Sequence, residues 1–185
     1  GGVPGVEPAN VVIIGGGTVG INAARMAMGL SANVAVLDKN LNRLRELDDY
    51  FHGRLLTVYS TQHKLAQIVQ KADLVITAVL VTGAKAPKLI TKEIISSMKK
   101  GSVIVDVAID QGGCVEGVKP TKHSDPTIIV SDICVYAVPN IPGAVPMTST
   151  TALTNATLPY VLKLANQGYN AVLDDPILAK GVNIH

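Results

Sequence analysis

A glycine-rich turn near the amino terminus constrains the fold of this chain more than any other feature of its sequence. Gly15, Gly17 and Gly20 come directly after the apolar run 10–14 and directly before a stretch with helical spacing. Glycines at this spacing allow a strand to turn sharply into a helix that lies close against it. The turn therefore predicts a strand, a tight loop and a helix as the first three elements.

Strand and helix patterns then alternate up to about residue 139. Strands are predicted at 10–14, 33–37, 55–59, 73–79, 102–106, 127–130 and 133–138, and helices at 18–30, 41–50, about 61–71 and about 91–98. In the first helix the apolar side chains fall on one face, formed by Val19, Ala23, Met26, Ala27 and Leu30. Such alternation is typical of βαβ units and a parallel sheet. Because 48% of the residues are apolar but only 3% are aromatic, small aliphatic side chains must fill the core.

The pattern changes after residue 139, where prolines and a glycine precede predicted helices at 148–167 and 175–180. Pro159 lies inside the longer helix and is expected to kink or divide it. We predict an α/β domain over residues 1–145, with a Rossmann-type, doubly wound, mostly parallel sheet and helices on both faces. Residues 146–185 form a predicted C-terminal helical tail, expected to belong to or pack on a further domain whose amino-terminal part is absent from this sequence.

Charge and residue usage argue against several function classes. The formal net charge of +2 does not favour nucleic acid or a membrane surface as a partner. No apolar run approaches the roughly 20 residues of a membrane helix, and no signal peptide is recognisable. Two cysteines and four histidines without ligand spacing predict neither disulfides nor a metal site. We therefore expect a cytoplasmic protein with reduced thiols.

The glycine turn also predicts a dinucleotide site. Gly17 has no side chain, so the backbone can approach a pyrophosphate, and the amide groups that begin the next helix can donate to it. Asp38 ends the second predicted strand, 18 residues after Gly20, where its carboxylate can accept hydrogen bonds from both hydroxyls of an adenine ribose. It would repel a 2′-phosphate and thus favours NAD over NADP, although the nearby cations Lys39 and Arg43 temper that preference.

Purely structural roles are also open to these residues. The glycines could serve only a turn that needs positive φ, and Asp38 could instead cap the helix that begins near Leu41. A flavin is the main competing ligand within this fold class, because the glycine pattern alone does not exclude it. Lys85 and Lys88 could attract phosphates, but solvated loop lysines are the simpler expectation.

Several segments resemble alanine dehydrogenases. They are GAKAPKL at 83–89, SVIVDVAIDQGGC at 102–114, PNIPGAVP at 139–146 and TALTNATLPYVLKLAN at 151–166, together with the opening GGVPGV, the turn GGGTVG and RLRELDDYF at 43–51. The likeness covers nearly the whole chain. These enzymes reversibly convert L-alanine, NAD and water to pyruvate, ammonium and NADH. The resemblance implies an NAD-dependent oxidoreductase that acts on an amino group and forms a homo-oligomer, a hexamer.

The resemblance also implies roles for individual positions. Asp110 is the implied catalytic residue, which orients water or the amino group and supports proton transfer. The implied contacts of the cofactor run from the pyrophosphate and adenosine to the nicotinamide, and comprise Gly15, Gly17, Thr18, Val19, Gly20, Asp38, Arg43, Ser60, Val79, Leu80, Val107, Asp110, Asn140 and Ile141. Family members commonly carry Met where Ile141 stands. Asp110 could instead stabilise the following glycine turn, whose residues 111–113 are expected to bring backbone N–H groups close to a ligand.

The small amino-acid or 2-oxo-acid substrate is held, by resemblance, mainly by residues of an absent amino-terminal segment. We therefore expect this chain to bind NAD without turning over alanine. One alternative is the NAD-binding component of a proton-translocating nicotinamide nucleotide transhydrogenase, against which the sequence DVAIDQGG argues. Others are a noncatalytic nucleotide-sensing module and a related amino-acid dehydrogenase or cyclodeaminase.

Overall fold

The computed structural model describes residues 2–81 and 83–183 and divides the chain into two units, Gly1–Pro139 and Asn140–His185. The strands of the first unit form one sheet and are β1 (Asn10–Ile14), β2 (Asn33–Asp38), β3 (Leu56–Tyr59), β4 (Leu74–Thr77), β5 (Val103–Asp106), β6 (Thr127–Val130) and β7 (Ile133–Tyr136). The helices between them are α1 (Thr18–Gly29), α2 (Leu41–Phe51), α3 (Gln62–Val69) and α4 (Lys92–Ser97). The predicted α/β fold is confirmed, with most element ends within two residues of the prediction.

The order of the strands places a crevice at the centre of the sheet. Neighbouring strands follow the order β3-β2-β1-β4-β5-β7-β6, and every neighbouring pair is parallel except β6 and β7. The chain runs outward from β1 to β3 and then crosses back to β4 on the other side of β1. Ligands of open α/β sheets bind at such a switch point, beyond the carboxyl ends of the strands.

Two cores form on opposite faces of the sheet. Val11 and Ile13 pack on the side of α1 and α2, whereas Val12 and Ile14 pack on the side of α3 and α4. Successive side chains of a strand point to opposite faces, so each face of β1 receives an apolar side chain. This double burial explains why β1 is a continuous apolar run rather than an alternating one.

The buried face of α1 differs from the apolar face that the spacing predicted. Gly20 and Ala24 are the buried residues of this helix, whereas Met26 is 70% exposed and Val19 is 46% exposed. The helix lies so close to the glycine turn that only the smallest side chains fit beneath it. Val19 and Met26 are therefore left largely exposed, whereas Ile21 and Met28 are partly buried against the core.

The second unit is helical. It contains a 3₁₀ turn, Ile141–Ala144, followed by α5 (Pro146–Gln167), α6 (Asn170–Asp174) and α7 (Pro176–Ala179). α5 continues past Pro159 as one helix, so this proline does not divide it, and the kink expected there stays a prediction. No residue of α5 is buried, although an ion pair of 2.9 Å joins Lys163 to Asp175, the residue that caps α7. No helix within residues 2–81 and 83–183 has the length and apolar character needed to span a membrane.

Candidate cofactor site

A cleft of about 570 Å³ opens at the carboxyl ends of β1, β2 and β4. Its lining combines the glycine turn, the strand ends and the segment after β4, namely Ile14, Gly15, Gly17, Thr18, Val19, Leu37, Asp38, Lys39, Ser60, Ala78, Val79, Leu80, Val81, Pro87 and Leu89. The structure thus brings together in one cleft many residues for which a cofactor contact was predicted. They are Gly15, Gly17, Thr18, Val19, Asp38, Ser60, Val79 and Leu80.

The glycines of the turn differ in whether the protein leaves space for a side chain. Gly15 has φ +102°, and a Cβ there would lie 2.6 Å from the carbonyl oxygen of Ala78. A Cβ on Gly20 would overlap the carbonyl oxygen of Gly15, so α1 can pack this closely only with glycine. Gly17 has φ −68°, and no atom lies within 4 Å of the position that its Cβ would occupy. The protein's own packing therefore requires Gly15 and Gly20, while the space at Gly17 is open to a ligand.

The first turn of α1 presents amide groups beside this open space. The helix begins at Thr18, and its N-cap residue Gly17 supplies no side-chain hydrogen bond. The first amides of an α-helix have no acceptor within the helix, and they carry the positive end of its dipole. Because Thr18 and Val19 line the cleft, this part of it suits an anionic phosphate.

Asp38 holds the glycine turn and keeps acceptor capacity for a ligand. Its Oδ2 accepts from the backbone N–H of Gly16 at 2.7 Å, and its Oδ1 accepts from that of Asn40 at 2.8 Å. Each carboxylate oxygen has two lone pairs, so one acceptor position remains on each. Asn40 is the residue that caps α2, by accepting from Asn42 and Arg43. The hypothesis that Asp38 caps this helix is therefore wrong.

Gly16, which had no predicted role, is held from both sides. Asp38 binds its N–H, and the Nε of Arg43 donates to its carbonyl oxygen at 2.5 Å. The guanidinium of Arg43 also forms an ion pair of 2.7 Å with Glu46. Arg43 thus contacts the turn itself and does not line the cleft. The one local signal for this arrangement was that Gly16 is itself a glycine, in the middle of the run 15–17.

Asp110 lies in a hollow that adjoins the cleft. The hollow measures about 600 Å³ and shares Leu80 and Val81 with the cleft. Its other lining residues are Gly83, Ala84, Lys85, Asp110, Gln111 and Gly112. Asp110 is exposed, and its carboxylate accepts no hydrogen bond from residues 2–81 or 83–183. A carboxylate in this position can accept a proton or a hydrogen bond from a ligand.

The backbone N–H groups that follow Asp110 are engaged within their own turn. Those of Gln111 and Gly113 donate to the carbonyl of Ala108 at 3.0 Å, and that of Gly112 donates to Ile109 at 3.1 Å. The expectation that these groups approach a ligand is therefore wrong. They build the compact 3₁₀ turn Ile109–Gln111 that exposes the Asp110 side chain.

A different carboxylate, that of Asp106 at the end of β5, stabilises this turn. Asp106 is fully buried and accepts from the hydroxyl of Thr77 at 2.6 Å and from the backbone N–H groups of Cys114 and Val115 at 2.9 and 3.1 Å. Burial and the neighbouring Asp106 raise the pKa of the Cys114 thiol to about 11. Because the thiol is therefore protonated near neutral pH, Cys114 is unsuited to act as a nucleophile.

Four further residues with predicted cofactor contacts lie outside the cleft lining, and one of them, Gly20, is a buried residue of α1. Val107 is half-buried, and its N–H donates to Thr77 at 3.1 Å. Asn140 and Ile141 belong to the second unit, so their contacts with a cofactor stay predictions. Within the described part of the chain, no three His, Cys, Asp or Glu side chains are grouped so that they could hold a metal ion.

Comparison with known proteins gives the family. The family described as "Alanine dehydrogenase/PNT, C-terminal domain" matches residues 1–185. The chain belongs to this family. An alanine dehydrogenase of Halomonas elongata is 59% identical over 185 residues, which are 100% of this alanine dehydrogenase/PNT C-terminal domain and 50% of that protein. The resemblance seen in the sequence is therefore confirmed.

Solved structures agree with this assignment. A structure of an L-alanine dehydrogenase matches this chain with a TM-score of 0.95 and 54% identity. The match covers 100% of this chain and 51% of the L-alanine dehydrogenase chain. A transhydrogenase from Sinorhizobium meliloti matches with a TM-score of 0.71 and 28% identity, over 79% and 41% of the two chains. The alanine dehydrogenases are the better match, as the sequence DVAIDQGG predicted. The chain spans about half the length of the curated relatives it matches.

Proposed function

We propose that this chain is the NAD-binding part of an alanine dehydrogenase. The observation that carries the proposal is the open space at Gly17, which lies beside the unpaired amides of α1 in the same cleft as Asp38. A side chain at residue 17 would meet no protein atom. The close approach of a pyrophosphate to this backbone therefore explains why residue 17 is a glycine. The membership of the family supports the same conclusion.

The adenosine end of the cofactor would lie toward β2. Asp38 would accept hydrogen bonds from the ribose hydroxyls with the lone pairs that Gly16 and Asn40 leave free. Ser60 and Lys39 line the same end of the cleft. A 2′-phosphate would be repelled by the Asp38 carboxylate, and this repulsion favours NAD over NADP.

The nicotinamide end would lie toward Val79 and Leu80, beyond the end of β4. Bound NAD supplies the hydride acceptor for an amino-acid substrate, while the protein supplies orientation and electrostatics. The hollow with Asp110 adjoins this end through Leu80 and Val81. Its carboxylate would orient water or the substrate amino group and accept a proton. Val107 would also contribute to this end of the site.

The rest of the reaction belongs to the whole protein. We propose that the remaining half holds the carboxylate of L-alanine or pyruvate and that this chain is catalytically incomplete by itself. The second unit, Asn140–His185, would pack on that half, because α5 buries none of its residues within this chain. We further propose a cytoplasmic hexamer, as the resemblance implies.

The test has two arms. Titration calorimetry of the 185-residue chain should show binding of NAD with weaker or absent binding of NADP, and no NADH should form with L-alanine. The full-length protein should form NADH from L-alanine, and Asp110→Asn should abolish that activity while it leaves NAD affinity within about twofold, because Asp110 lies outside the cleft lining. Absence of NAD binding would refute the proposal, and robust turnover by the chain alone would refute its incompleteness.

A further inference from the structure

Lys88, in the loop between β4 and α4, contacts the segment that carries Asp110. Its Nζ donates to the carbonyl oxygen of Gly112 at 2.5 Å and to that of Val115 at 3.1 Å. Lys88 is exposed, as was expected of a loop lysine, but its ammonium is also engaged by these two backbone carbonyls. Hydrogen bonds from a charged donor are shorter and stronger than neutral ones, so Lys88 restrains both carbonyls.

Asp106 holds the same segment from the interior. Its carboxylate binds the N–H groups of Cys114 and Val115, and the hydroxyl of Thr77 fixes the carboxylate in turn. Val115 is thus held at its N–H by a buried anion and at its carbonyl by a cation. A Cβ on Gly113 would lie 2.7 Å from Oδ2 of Asp106, so glycine at residue 113 permits this close approach.

Backbone hydrogen bonds join the loop that carries Lys88 to the segment that follows Asp110. The N–H of Ala86 donates to Gln111 at 2.9 Å, and the N–H groups of Leu89 and Ile90 donate to Cys114 at 2.9 and 3.0 Å. The loop with Lys88 therefore lies alongside residues 111–114. Movement of either loop would change the position of the 3₁₀ turn Ile109–Gln111.

We propose that Lys88 and Asp106 are positioning residues for Asp110. They fix the carboxyl-terminal end of its turn from opposite sides, so that its carboxylate stays exposed beside Leu80 and Val81. Neither residue lines the NAD cleft, so they act on the geometry of the acid–base group rather than on cofactor binding. The inference rests on the proposed function, because it assumes that Asp110 takes part in the reaction.

The test uses the full-length protein and measures kcat, KM and NAD affinity separately. Lys88→Met should lower kcat by about 10- to 100-fold, because a catalytic group misplaced by about 1 Å lowers the reaction rate by roughly this factor. The Kd for NAD should change much less than kcat, because Lys88 does not itself line the cleft, although its neighbours Pro87 and Leu89 do. Lys88→Arg keeps a cationic donor and should recover most of the lost kcat. Lys64→Met, the same change at an exposed lysine of α3, is the matched control and should leave kcat unchanged.

A second measurement follows the loop directly. Amide hydrogen exchange across residues 109–115 should be faster in Lys88→Met than in the wild type and unaffected in Lys64→Met. Asp106→Asn should have the same effect on exchange and a larger effect on kcat, because an amide N–H₂ would face backbone donors in the interior. Lys88 is exposed, so its variants test the proposal even if Asp106→Asn does not fold.

The outcomes separate this inference from the proposed function. If the wild-type protein forms no NADH from L-alanine, the proposed function fails. If the wild type is active and Lys88→Met retains wild-type kcat, the positioning role is overturned. Equal losses of kcat and NAD affinity in Lys88→Met would also overturn it, because they would indicate general damage rather than displacement of Asp110.

Discussion

Gly17 and Gly20 lie three residues apart, yet alanine at the two positions should affect different properties of the protein. At Gly17 the added methyl group meets no protein atom and φ is −68°, which alanine adopts readily. At Gly20 it overlaps the backbone carbonyl of Gly15. Gly17→Ala should therefore impair ligand binding without loss of stability, whereas Gly20→Ala should impair stability itself.

The magnitudes follow from these contacts. For Gly17→Ala the lower entropy of the unfolded chain contributes about 0.4–1 kcal/mol of stability, and the poorer N-cap costs roughly the same amount, so the net change is within about 1 kcal/mol. For Gly20→Ala the overlap of the added methyl group with the backbone destabilises the fold by roughly 3 kcal/mol. The higher helix propensity of alanine offsets about 1 kcal/mol of this loss. The net loss is about 2 kcal/mol, or roughly 4–8 °C in Tm. In Gly17→Ala a clash with the pyrophosphate of about 2 kcal/mol weakens NAD binding roughly 30-fold.

Urea unfolding and titration calorimetry on the same preparations check both effects. The expected result is a Gly17→Ala protein with wild-type unfolding and weak NAD binding, beside a Gly20→Ala protein that unfolds at lower urea. A Kd for NAD within twofold of the wild type in Gly17→Ala would refute the assignment of the open space to a pyrophosphate. Wild-type stability in Gly20→Ala would refute the close packing of α1 on the turn.

Three further results are expected. Asp38→Asn should weaken NAD binding about tenfold and narrow the difference between the Kd values of NAD and NADP, because it removes the charge that repels a 2′-phosphate. Glu46→Gln should raise the affinity for NADP relative to NAD by about two- to fivefold, since it frees Arg43 from a partly exposed ion pair worth up to about 1 kcal/mol. In a Cys134→Ser protein, a thiol reagent at pH 8 should not label Cys114 until denaturant is added, because a pKa of about 11 leaves roughly one thiol in a thousand ionised.

The part of the fold that local patterns determine could be predicted from the sequence. β1, the glycine turn and α1 follow one another without long-range information. Asn40 and Thr61 are of residue types that favour N-caps, and they begin α2 and α3, although Asp38 was the cap considered for α2. The buried face of α1 could not be read from apolar spacing. It depends on how closely the helix approaches the sheet, which Gly20 and Ala24 decide rather than the larger side chains.

The contacts that arrange the candidate site could not be predicted, because they join residues far apart in the chain. Arg43 reaches Gly16 across 27 positions, and Lys88 reaches Val115 across the same number. No local pattern specifies such a pairing, since it depends on the order of strands in the sheet. Asp106 carried a weaker signal: it ends a predicted strand, and a buried carboxylate there requires donors from neighbouring loops.

Three carboxylates near the carboxyl edge of the sheet differ in how far the protein itself occupies their acceptor positions. Asp106 is fully buried and is bound by a hydroxyl and two backbone amides. Asp38 is half-buried and receives one donor on each oxygen, while Asp110 is exposed and receives none from the described residues. A buried carboxylate must be satisfied by the protein, so it can only shape a loop, whereas lone pairs left free at a cleft can take a ligand. The sequence shows three aspartates near strand ends, and burial distinguishes them. Asp106 can only shape the structure, whereas Asp38 and Asp110 keep free acceptor positions for the ribose and the proton transfer that we propose.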